Sequence, residues 1–193
     1  MLADRIHQQA QHRLRQTTGA QVAGVLLAAD RRSTAAYAAA VAWIVAGGQR
    51  ASVRLAAAYI AAYAPLLEPV NVARALRRIL IGPDSDVAAA GLLRLSELLD
   101  QGVELELALT QAQAYASGLA QGALQDSERA GLDEAANAAG RRPRWRLQPD
   151  VGACDWCEFI ASTGARYLTA GSVPVPHGTP SGGPCGCSPA PEF

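Results

Sequence analysis

The chain has 193 residues, with 17 basic and 17 acidic side chains and a formal net charge of zero. That length allows one modest hydrophobic core plus a small appendage. The charge balance argues against a general nucleic-acid binder, which would carry a basic stripe and a raised isoelectric point. Hydrophobic residues make up 50% of the chain but aromatics only 5%. Alanine supplies much of the apolar count, so helices should form readily yet gain little burial per residue.

Met1 to Arg15 is polar and amphipathic, with charges at Asp4, Arg5, Arg13 and Arg15, and shows no apolar export core. Ser33 to Gln49 is uncharged but shorter than the ~20 apolar residues needed to span a bilayer. The expectation is therefore a protein with no membrane association whose cysteines meet a reducing compartment, which favours metal binding over disulfides.

In chain order, Leu2–Arg15 reads as a first helix ending near Gly19, with a second from about Gln21, restarting at Ser33–Thr34 and stopping at Gly47–Gly48. Ala51–Ala64 is a third, halted by Pro65, and Asn71–Ile81 a fourth, following Pro69. Asp84, Ser85 and Asp86 offer N-caps for a helix running to about Asp100, with Gly102 as its C-terminal stop. A long helix starts near Glu104, with Leu105, Leu109, Ala112, Ala116, Leu119 and Ala123 forming its packing seam. His7 and His12 read as solvated, as do Glu97, Asp100, Glu104, Glu106, Glu128, Asp133 and Glu134.

The composition changes at Gly140. Trp145-Arg146-Leu147 alternates like a short strand, Asp155–Ser162 reads as a short helix, and Arg166–Leu168 as a second strand. Gly171–Pro191 holds six prolines and five glycines, which predicts no regular structure and a need for something to hold it. These signals predict a mainly α protein: an alanine-rich helical domain over 1–140 and a small, irregular, Cys-rich module over 141–193.

All four cysteines lie in that module, Cys154 and Cys157 as C-x-x-C and Cys185 and Cys187 as C-x-C, with His177 between the pairs. Two residues between thiols let both sulfurs turn to one point, and Gly186 gives the second pair the same freedom. Tetrahedral zinc needs four such ligands, and closing a loop this poor in core residues around an ion would supply its folding free energy. The expected ligands are Cys154, Cys157 and Cys185, with Cys187 and His177 competing for the fourth place.

Arg141, Arg142, Arg144 and Arg146 surround Trp145. They allow a second reading, a zinc-containing nucleic-acid-binding module with the arginines on phosphates and Trp145 stacked on a base; the alternative is a linker or protein contact. C-x-x-C could also mark a thiol–disulfide enzyme, but no βαβ pattern surrounds it. No hydrolase, zincin or phosphate-loop motif is present, so no enzymatic activity is expected.

The run Pro149-Asp150-Val151-Gly152-Ala153-Cys154-Asp155-Trp156-Cys157, followed by Gly164-Ala165-Arg166-Tyr167, resembles the C-terminal part of the phage Mu F-like minor head proteins. His177, then Cys185-Gly186-Cys187, Pro189, Pro191 and Phe193, matches the close of that element. The resemblance covers about Arg141–Phe193; Gly178–Pro184 lengthens the spacing between His177 and C-x-C, which leaves the four cysteines as the better-matched ligands. It implies a structural virion protein of the phage head, made in the bacterial host cytoplasm and contacting portal or major capsid proteins in a multi-subunit assembly.

Overall fold

The computed structural model describes residues 2–28, 34–63, 85–140, 142–150, 153–174 and 187–192. The chain is mainly helical. Its elements are α1 (Leu2–Ala28), α2 (Thr34–Tyr63), α3 (Ser85–Asp100), α4 (Leu105–Ala138), β1 (Arg144–Gln148), α5 (Asp155–Ser162), a single 3-10 turn at Ala170–Ser172, and β2 (Ser188–Glu192). The fourth helix expected from sequence, Asn71–Ile81, lies outside the described residues. Among the described residues, no helix is long and apolar enough to cross a membrane.

Helices α1, α2 and α4 pack mutually, and α3 lies against α4 and α2. Two glycine signals read as helix ends are instead packing devices. α1 runs straight through Gly19, where a Cβ would come within 2.4 Å of Ser117 Oγ on α4. α2 runs through Gly47–Gly48, where a Cβ on Gly48 would meet Thr18 Oγ1 at 2.8 Å. Glycine costs about 1 kcal/mol of helix propensity relative to alanine, but close approach of two helices offsets it.

The C-terminal end of α3 follows the sequence. Gly102 adopts φ +78°, its N–H donates to Leu99 O at 3.0 Å, and Val103 N–H donates to Leu98 O at 3.0 Å. This pair of bonds satisfies the last carbonyls of the helix as a Schellman motif.

The seam of α4 is rotated from the expected one. Ala108, Ala112, Ala116, Ala120 and Leu124 are fully buried at spacings of four, whereas Leu105 is exposed and Leu119 and Ala123 only partly covered. With alanine on every face, the pattern carries almost no directional signal. One apolar cluster joins Val22, Val41 and Val45 to the alanine ladder. A second joins Ala56, Ile60, Leu132 and Ala135 to Trp145, Leu147, Val173, Cys157 and Cys187, so the Cys-bearing segment is packed directly on α2 and α4.

In the tail, β1 and α5 form where the sequence places them. Of the expected strand Arg166–Leu168, only Tyr167 pairs, as an isolated antiparallel bridge to Trp145. The expectation of no regular structure up to Pro191 is corrected at its end: Ser188–Glu192 is β2, antiparallel to β1 with Trp145 opposite Pro191 and Leu147 opposite Pro189. Trp145 spends both backbone groups on Tyr167, at 2.9 and 2.8 Å. Its N–H and C=O therefore face away from β2, and the alternation of an antiparallel ladder gives Leu147 the same orientation. Both prolines thus fall where no N–H is required, with their ring nitrogens turned to the outer edge.

Candidate metal centre and its surroundings

Cys154 is the N-cap residue of α5, with φ −75° and ψ 158°, and Cys157 lies in the first turn. Cys187 immediately precedes β2. Because Gln148 pairs with Ser188, the sheet brings Cys187 to the end of β1 from which the chain leaves toward Cys154. Cys157 and Cys187 are buried and Cys154 is partly covered, all three in the same apolar cluster as Trp145. Local helix geometry thus sets the first pair, and strand register adds a third thiol from far along the sequence. Cys185 and His177 lie outside the described residues. Among the described residues, no group of three or more His, Cys, Asp or Glu side chains is arranged to hold an ion. The thiols of the described residues, Cys154, Cys157 and Cys187, are of a ligand type that zinc takes.

The segment bearing these thiols is fixed to the helices by polar contacts as well as by the core. Asp133 on α4 accepts hydrogen bonds from Ala170 N–H at 2.7 Å and Gly171 N–H at 3.2 Å, at the start of the 3-10 turn. Burial pushes the Asp133 carboxyl above its ordinary value, and those two backbone donors pull it partly back. Asp133 therefore holds the tail and is not the solvated charge expected from sequence. Gln8 Nε2 donates to Gln148 O at 3.1 Å, and His12 lies 3.7 Å from Asp150.

The basic cluster divides. Arg142 and Arg144 are exposed and line a cleft of about 430 Å³ with Asp133 and Asn137. Arg146 Nε is 3.2 Å from Glu192, which also pairs with Arg166. Trp145 is 1% exposed and belongs to the core, so its ring is not presented for stacking on a base. Arg141 lies outside the described residues.

Sequence reasoning missed a buried polar network. Glu128 on α4 is 1% exposed; its Oε1 is 2.9 Å from His7 Nε2, and its Oε2 accepts from Arg15 at 3.0 Å. The His7 ring stacks on Tyr59 with centroids 4.1 Å apart, and Tyr59 donates to Asp4 Oδ1 at 2.6 Å. Ser52 donates to Gln11 Oε1 at 2.9 Å, and Gln11 returns a bond to Ser52 O at 3.0 Å. His7 and Glu128 are thus corrected from solvated to buried. A signal existed: Asp4, His7, Gln11, Arg15 and Thr18 recur every three or four residues, a polar stripe on one helical face. Polar periodicity is ordinarily read as the outside of a helix, and here it faces in.

Comparison with curated proteins and with solved structures yields no match for this chain. A family model described as VG15 protein matches residues 3–193, which include the four helices of the bundle and the cysteine-bearing tail. The chain belongs to the VG15 protein family, a phage-associated family of viral gene products.

Proposed function

We propose that this protein is a structural component of a tailed-phage head, a minor head protein of Mu F-like type that acts by docking and not by catalysis. The observation that carries the reading is the gathering of Cys154, Cys157 and Cys187 into one cluster with Trp145 and Tyr167, residues of the head-protein-like signature. Membership of a phage-associated family supports the virion setting.

Zinc held by Cys154, Cys157 and Cys185, with Cys187 or His177 as the fourth ligand, would cross-link the ends of the proline- and glycine-rich loop. The chain's own residues do the rest. Trp145 and Leu147 bury the inner face of the small sheet against α2 and α4, and Asp133 clamps the 3-10 turn. The result is a rigid tail suited to engaging the portal or the inner capsid wall, with the helices as the larger contact surface.

Peptide mass spectrometry of purified particles and of head-assembly intermediates tests the role. The reading expects peptides of this chain in heads or in their precursors, in constant ratio to the portal protein. Absence from both would overturn it.

A further inference from the structure

The inward face of α1 is polar from Asp4 to Thr18. Its polar side chains Asp4, His7, Gln11 and Arg15 are buried in the bundle, while Ile6 is 59% exposed on the opposite side. Leu14 and Val25, only partly covered, line a cleft of about 540 Å³ between α1 and α2. Its lining includes Gly24 and Gly47. Unlike Gly19 and Gly48, these two meet nothing among the described residues within 4 Å of where a Cβ would stand. Packing among the described residues therefore gives no reason for either glycine, although each weakens its helix. Trp43, at 75% the most exposed large apolar side chain among the described residues, stands at the same cleft one helical turn from Gly47. None of the ten residues lining the cleft is charged.

We infer that this α1–α2 face is the self-association surface of the protein, occupied by the same face of a second copy. Trp43 is a knob and the open space beside Gly24 and Gly47 is a hole, side by side on one face. A two-fold axis passing between positions 43 and 47 runs the two α2 helices antiparallel and lays each Trp43 on the other copy's Gly47. Such an isologous contact brings every group near its own counterpart, so a charged face would oppose like charges. This cleft is free of that cost. The groove between α3 and α4, which also has an open glycine in Gly122, carries Asp86 and Asp126 and is not.

Sedimentation equilibrium of the purified full chain across a micromolar concentration series tests this, alongside Trp43→Arg and Gly47→Leu. The wild type should show a monomer–dimer equilibrium. Each variant should raise the dissociation constant roughly thirtyfold or more, as expected for an interface hot spot. Gly47→Leu adds a good helix former where nothing among the described residues stands within 4 Å, so its monomer should melt no lower than wild type. A wild type that stays monomeric throughout, or variants that dimerise as wild type does, would overturn the inference.

Discussion

Replacing Glu128 by alanine strips a buried guanidinium and a buried imidazole of their shared carboxylate. The side chains of Arg15 and Glu128 are 3% and 1% exposed, so solvent screens the pair little. Forming such a pair adds little net stability, because desolvation opposes the Coulomb attraction; breaking one costs about 3–5 kcal/mol. Set against a typical total of about 5–15 kcal/mol, that loss brings the fold toward its limit. With a urea dependence of about 2 kcal/mol per molar, the unfolding midpoint should fall by roughly 1.5–2.5 M, read by far-UV circular dichroism at neutral pH. The double variant Arg15→Met, Glu128→Leu should recover part of the loss, since it removes both charges and keeps the volume filled while His7 still loses its acceptor. A cost below about 1 kcal/mol for Glu128→Ala, or a double variant as unstable as the single, would refute the assignment of Glu128 as the counter-charge within the bundle.

Three further outcomes follow from single contacts. The buried Tyr37 hydroxyl has no hydrogen-bond partner among the described residues, and burial pushes its ionisation up; Tyr37→Phe should raise stability by about 1 kcal/mol in denaturant titration. Gly131→Ala should destabilise by about 1–3 kcal/mol despite better helix propensity, because its Cβ would stand 3.1 Å from Val53 Cα and Ala56 Cβ. Asp133 provides a pH test: its carboxyl is raised in the fold, so the native state binds that proton more tightly than the unfolded chain. Its contribution is therefore more favourable at low pH and declines as pH rises from 3.8 through the raised value. Wild type should accordingly gain relative to Asp133→Asn as pH is lowered from 7 toward 4, measured by paired thermal melts.

What could be read from sequence was whatever rests on local chemistry. Gly102 with its neighbours ends α3, Cys154 opens α5, and Trp145-Arg146-Leu147 alternates as a strand because each signal acts over a few residues. Gly19 and Gly47–Gly48 misled because the same residue either stops a helix or admits a neighbour, and only the neighbour decides. The phase of α4 was hidden by alanine on all sides of it. β2 was illegible because prolines are compatible with a strand only when the ladder spares their nitrogens, which here depends on Tyr167 occupying Trp145. The inward stripe of α1 was visible as a pattern, but its direction depends on Glu128, 121 residues from His7. For the candidate metal site, spacing named the thiols, and the fold adds why Cys187 approaches the first pair: strand register.

Metal analysis of the full chain purified under reducing conditions tests whether the tail is clamped by a metal ion. The account predicts about one zinc per chain, with the thiols of Cys154, Cys157 and Cys185 shielded from a thiol reagent until a chelator is added. Protein that carries well under one zinc per chain while the helical bundle stays folded, with the partly covered Cys154 titrating without a chelator, would contradict it.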